Sequence, residues 1–263
     1  MPPKVKKEAF VRALDKALGI LEHFGRIRDE VNLATLAKQT GMPKSTLLRL
    51  LNTLKSHNFV NQNHYSRRYQ LGWALIYLGK AAAQYYNLPA IVHPFLEQLA
   101  VQTGETTSLV VLDKDHAIYI DQVASDNLIR GIPSVGSRLA LHCTASGKVL
   151  LSGFSHKDFH RFLRTSVFEK KTDRTITKLR ALSNEIRKVK RQGYAVDDEE
   201  TEVGGRCLGA PIFDKEGRIV AAISVIGPAN RIKKGLFGKL SIQVRKAAAQ
   251  ASAALGHEGK IAG

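Results

Sequence analysis

The chain has 263 residues, long enough for a sizeable core and with room for two domains. Its 40 Lys+Arg against 23 Asp+Glu give a formal net charge of +17, which favours polyanionic partners. Only two cysteines occur, Cys143 and Cys207, which excludes a disulfide framework; with no signal-peptide core and no run of about 18 apolar residues, the expectation is a soluble cytoplasmic protein with no membrane partner.

The charge is concentrated early. Residues 1 to 80 hold 14 basic and 5 acidic side chains, about half the excess in under a third of the chain. From Phe10 to Phe24 the apolar residues Val11, Leu14, Leu18, Leu21 and Phe24 recur at helical spacing. Asn32 is then a cap for a short helix through Leu33, Leu36 and Ala37, and Gly41 ends it where a left-handed residue is needed.

The stretch that follows, "GMPKST", raises the question of a phosphate loop. Such a loop needs a glycine directly before its lysine and another five residues earlier, where this chain has Pro43 and Lys38. Nucleotide binding is therefore excluded on geometry. Pro43 instead opens a third helix in its first turn, with Leu47, Leu50, Leu51 and Leu54 as the buried stripe. Helix, short turn and helix give a helix-turn-helix, whose second helix enters the major groove with its N-terminal residues. Lys44, Ser45, Thr46 and Arg49 stand on that exposed face and are the candidate DNA contacts.

Two short strand-like runs around a polar turn, "FVNQNHYSRRYQL", predict a hairpin wing with Arg67 and Arg68 near its tip, suited to phosphate or minor-groove contact. The leader Lys4, Lys6 and Lys7 could serve as a basic arm. Trp73 to Tyr86 reads as a connecting helix able to pair with a copy of itself, and Leu88 and Pro89 break the chain before a helix from Ala90 to Gln102. The domain boundaries expected are 1–72, a linker at 73–87, and 88–263.

Further on, Glu105–Asp113 and Ala117–Val123 read as one pair of strands, Leu208–Phe213 and Ile219–Ile226 as another. Helices are expected near Ala145–Leu151, Thr175–Gln192 and Gly235–Leu255. Hairpins with separate helices imply an α+β domain on an antiparallel sheet. Thr144 is placed to cap the helix at Ala145, leaving the N–H groups of Ala145 and Ser146 available to an anion.

Together the two blocks resemble the IclR family of bacterial transcription regulators. The resemblance rests on "RALDKALGIL" and "LAKQTGMPKSTLLRLL" early in the chain, and on "VGSRLALHCTASGKVLL", "QGYAVDDEE", "RCLGAPIF" and "AAISVIGP" later. It implies a winged helix-turn-helix, a linker helix and a GAF-like effector domain, assembled as a homodimer or homotetramer. The implied function is a transcriptional regulator, repressor or activator, whose affinity for a double-stranded DNA operator changes when a small carboxylic acid binds. Carried over by position, the effector residues are Leu139, Ala145, Ser146, Asp197, Cys207 and Ser224; some members have a second serine where this chain has Ile226.

Three other functions stay open at the level of sequence. His142, Cys143 and Cys207 invite a Cys–His nucleophile, although no nucleophile-elbow signature surrounds either cysteine. His142, Asp197 and Cys207 are ligand types that suit zinc, at scattered spacing. An architectural DNA-binder with a vestigial pocket would share the first domain. The expectation adopted is a regulator, with no enzymatic activity, no cofactor and no metal.

Overall fold

The structure is a computed structural model that describes residues 11–27, 29–85, 88–125 and 133–258. Lys4, Lys6, Lys7, Phe10 and Tyr86 lie outside the described residues. The chain divides into two compact units, residues 1–86 and 87–263.

The first unit contains helices α1 (Arg12–Ile27), α2 (Leu33–Thr40) and α3 (Lys44–Ser56), a hairpin of β1 (Val60–Gln62) and β2 (Tyr69–Leu71), and α4 (Ala74–Tyr85). Its core joins Ile20 and Phe24 of α1, Leu36 of α2, Leu47, Leu51 and Leu54 of α3, and Val60 and Tyr69 of the hairpin. Local chemistry sets the turn between α2 and α3. Asn32 Oδ1 accepts the Thr35 N–H at 2.8 Å, and Gly41 takes φ +67°, a conformation without penalty only for glycine. Pro43 stands one residue earlier than expected, at the cap with ψ 138°, and its carbonyl accepts the first bond of α3 from Leu47.

The second unit begins with α5 (Leu88–Thr103), which already includes Leu88 and Pro89. A proline in the first turn loses no helical bond, so Pro89 opens this helix; it does not break the chain as the sequence reading had it. Strands β3 (Thr106–Asp113), β4 (His116–Val123) and β5 (Arg138–Ala140) precede α6 (Ala145–Ser152), α7 (His156–Thr165) and α8 (Leu179–Gln192). Then come β6 (Ala195–Asp198), β7 (Gly205–Phe213) and β8 (Ile219–Pro228), a short 3-10 turn, and α9 (Phe237–Ala254). The helix expected from Thr175 starts only at Leu179, because the side-chain oxygen of Thr175 accepts the N–H groups of Lys171 and Thr172 to form a turn. The helix expected from Gly235 starts at Phe237, after that 3-10 turn.

The sheet is fully antiparallel in the order β5-β4-β3-β8-β7-β6. Period-two alternation divides its faces. Leu208, Ala210, Ile212, Ala221, Ile223 and Val225 pack with α5 and α9, while Cys207, Ala222 and Ile226 pack with α6, α7 and α8 on the other side. Gly209 lets α6 approach that face, since a Cβ there would come within 3.3 Å of the Ser146 amide.

Candidate DNA interface and ligand cavity

In the first unit, the buried stripe of α3 leaves Ser45 and Arg49 on the opposite, exposed side. Lys44 is also exposed, at one edge, whereas Thr46 is half-buried on the flank toward Leu50. Asn52, absent from the sequence-based candidates, is exposed one turn beyond Arg49, so Ser45, Arg49 and Asn52 share one face at i, i+4 and i+7. That spacing is visible in the sequence and marks Asn52 as a base-reading candidate, because an asparagine amide matches adenine.

Arg67 and Arg68 are both exposed in the wing. The turn is built by Asn63, whose Oδ1 accepts the N–H groups of Tyr65 and Ser66 at 3.0 and 3.2 Å, whose carbonyl accepts the Arg67 N–H at 3.0 Å, and whose N–H donates to the Arg68 carbonyl at 2.8 Å. Arg67 sits at φ +56°, and Gln62 Nε2 bonds its carbonyl at 3.0 Å. The backbone of the tip is thus held while both guanidinium groups stay free of ion pairs among the described residues. Tyr65, 98% exposed, projects beside them.

In the second unit a cavity of about 450 Å³ opens on the α6 side of the sheet, lined by Tyr119, Leu139, Asp197, Thr201, Cys207 and Ile226 among others. Strand pairing explains the grouping. Asp197 pairs with Cys207 and Cys207 with Ile226, which puts one residue of each of β6, β7 and β8 in a row. Ile226 closes that row as an apolar wall.

Of the six sequence-based candidates, Leu139, Asp197 and Cys207 stand in the cavity wall, whereas Ala145, Ser146 and Ser224 are fully buried and do not line it. Ser146 neighbours the Tyr119 hydroxyl and Ser224 the Cys207 thiol. Among the described residues neither serine oxygen makes a hydrogen bond of acceptable geometry. Thr144 caps α6, accepting the Gly147 N–H at 3.0 Å, and no acceptor for the amides of Ala145 or Ser146 is found among the described residues. Tyr119 and Thr201 were missed by sequence reasoning because only long-range pairing brings them to the site.

Asp197 is heavily engaged. Its Oδ1 accepts the Glu200 and Thr201 N–H groups at 2.7 and 3.3 Å, and its Oδ2 the Thr201 hydroxyl at 2.7 Å, which closes the turn after β6. Burial nevertheless raises its pKa, because desolvation outweighs these bonds. Beneath the turn lies a buried ion pair: Lys148 of α6, fully buried, donates to Glu200 Oε1 at 2.5 Å and to the Val196 carbonyl, with Glu185 Oε1 at 3.9 Å. Desolvation raises Glu200 to about 7, against the pull of Lys148.

The remaining candidates are placed apart from any reactive arrangement. His142 bonds the Glu169 carbonyl through Nε2 at 3.1 Å and meets Phe168 edge-on, and burial lowers its pKa. Burial raises the Cys143 thiol to about 11 and pushes Cys207 higher still. Among the described residues no group of three or more His, Cys, Asp or Glu side chains is placed to hold a metal ion, and no helix is long and apolar enough to cross a membrane.

A winged helix-turn-helix with an exposed arginine face, followed by an α+β unit with a ligand-sized cavity, defines a two-part DNA-binding transcription regulator. Residues 13–64 match the IclR helix-turn-helix domain and residues 80–253 the bacterial transcriptional regulator IclR C-terminal domain. The chain belongs to the IclR family of bacterial transcription regulators. It is 36% identical over 248 residues to the transcriptional repressor IclR of Escherichia coli K12, covering 94% of this chain and 90% of that protein. The crystal structure of Thermotoga maritima IclR matches with a TM-score of 0.75 at 31% identity, covering 94% of this chain and all of the other. The same fold, with a TM-score of 0.82 at 20% identity over 92% of this chain and 98% of the other, is found in an IclR homologue from Microbacterium hydrocarbonoxydans solved as a complex with 4-hydroxybenzoate.

Proposed function

We propose that this regulator's affinity for its operator is set by a small, monoanionic organic acid held in the cavity of the second unit. The observation that carries this reading is the cavity on the α6 side of the sheet, walled by Tyr119, Leu139, Asp197 and Cys207, with the buried hydroxyls of Ser146 and Ser224 against the Tyr119 and Cys207 side chains. The cavity reaches the N-terminal end of α6 at Thr144, where the helix dipole favours a carboxylate. Asp197 repels a second carboxylate, and Ile226 and Leu139 suit an apolar body, so one carboxylate on a compact scaffold fits better than a dicarboxylate. The 4-hydroxybenzoate bound to the homologue of the same fold is an acid of that kind.

On the DNA side, Ser45, Arg49 and Asn52 read bases while Lys44, Arg67 and Arg68 hold phosphates. Thr46 serves from the flank. The protein acts as a homodimer or homotetramer in the cytoplasm, which matches the apolar residues exposed on α1 (Leu14, Leu18), just before it (Val11) and on α4 (Ile76, Tyr77, Leu78). Catalysis has no part in this reading, because burial keeps both thiols neutral and His142 is committed to a carbonyl.

The test is a thermal-shift screen of small organic acids against the wild type and Ser224→Ala. An acid that raises the melting temperature of the wild type and raises it less in the variant supports the reading. A screen of monocarboxylates with no shift at all would favour a vestigial cavity.

A further inference from the structure

We propose that the exposed face of α8 is a second polyanion-binding surface, and that its partner is duplex DNA flanking the site held by the helix-turn-helix. The second unit carries 26 basic and 18 acidic residues from position 87 onward, and α8 alone holds five of the former, Arg180, Arg187, Lys188, Lys190 and Arg191, against one acid, Glu185. Half the unit's excess positive charge therefore lies on one 14-residue helix.

The placement is ordered. At about 100° per residue, Arg180, Arg187 and Arg191 fall within about 40° of one another, opposite the buried Leu182, Ile186 and Val189. All five basic side chains are exposed, and none forms an ion pair among the described residues. Glu185 does not neutralise the stripe, because it turns inward toward Lys148. Asn184, between the arginines, accepts from Arg187.

Helix stabilisation accounts for only part of this. Lys190 and Arg191 in the last turn suit the macrodipole, but Arg180 stands in the first turn, with Lys178 at the cap and no acid nearby to answer the partial positive charge there. Cations at both ends of one face are not explained by the helix itself and suit an external polyanion. From Arg180 to Arg191 the helix advances about 16 Å, a length over which one strand of duplex presents about five phosphates. A single free carboxylate could not engage so long a stripe, and the chain already binds DNA through its first unit.

The experiment compares wild type, an alanine variant (Arg180→Ala, Arg187→Ala, Arg191→Ala) and the matching triple lysine variant as full-length proteins. The probe is one duplex sequence selected from a random pool, used at about 20 base pairs and again with flanks at about 60, with affinity followed against potassium chloride concentration. Wild type is expected to show a steeper log-log salt slope on the long duplex, by about 2 to 3 for three phosphate contacts at about 0.9 each. The alanine variant should lose that increment while keeping the slope on the short duplex and the melting temperature, and the lysine variant should retain it. Footprints of hydroxyl-radical cleavage should shorten on the flanks in the alanine variant alone. If wild type and alanine variant give the same slope and footprint on the long duplex, α8 does not bind DNA and the proposal is overturned.

Discussion

Glu200→Gln is expected to destabilise the second unit and to weaken acid binding together, because the Lys148–Glu200 pair supports the turn that holds Asp197 in the cavity wall. Lys148 is fully buried, and its ammonium has Glu200 Oε1 at 2.5 Å, the Val196 carbonyl, and Glu185 no closer than 3.9 Å. Removing one partner of a buried pair costs about 3–5 kcal/mol; the residual Glu185 contact places this case near about 3. That is a large share of a domain stability of about 5–15 kcal/mol. Lys148→Met should cost less near neutral pH, since the orphaned Glu200 can take up a proton, helped by the desolvation that already raises it to about 7. Lys148→Met with Glu200→Leu should come close to wild type, because neither charge is then buried. The assay is urea unfolding followed by far-ultraviolet circular dichroism; the only tryptophan, Trp73, lies in the first unit and reports on that part separately. A Glu200→Gln variant within about 1 kcal/mol of wild type would refute the reasoning, since a charge buried as described cannot lose its counter-ion at so small a cost.

On the DNA side, Arg67→Ala with Arg68→Ala should flatten the salt dependence of binding to any sequence by about 0.9 per lost phosphate contact, and an unchanged slope removes the wing from the interface. Arg49→Ala and Asn52→Ala should each cost about 1–3 kcal/mol of preference for a selected site over random duplex; equal losses on both would make them phosphate contacts. Affinity for a monocarboxylate should rise as pH is lowered, because protonation of the desolvated Asp197 relieves repulsion. Calorimetry on Asp197→Asn should show a weaker dependence, and an unchanged one would place the carboxylate away from Asp197.

The parts legible in the sequence are those whose cause is local. Asn32, Gly41 and the leucine stripe of α3 act within a turn or two of themselves, so the helix-turn-helix could be read directly, and Asn32 and Gly41 bound α2 as expected. The wing could be read because Asn63 organises its own tip. Strands β5 and β6 were not read, since three or four residues are too few to show alternation and both depend on pairing with β4 and β7. Helix α7 was passed over although Ser155 caps it through Asp158 and Phe159, Phe162 and Leu163 recur at helical spacing. The cavity was legible only through family likeness. Asp197, Cys207 and Ile226 meet across three strands, and no single stretch of sequence carries that row. The role of Lys148 was hidden for the same reason, its partner standing 52 residues away.

The most direct test of the account is operator affinity with and without the acid. The duplex selected from a random pool is titrated with wild type, Asp197→Ala and Ser224→Ala, each with and without a saturating acid taken from the melting screen. In the wild type the acid should change the dissociation constant by about 5- to 150-fold, the usual range of coupling between sites. Both variants should bind the duplex as the wild type does when no acid is present and should lose most of that change. An acid that raises the melting temperature but leaves the dissociation constant unaltered, or variants that switch as fully as the wild type, would contradict the assignment of the cavity as the regulatory site.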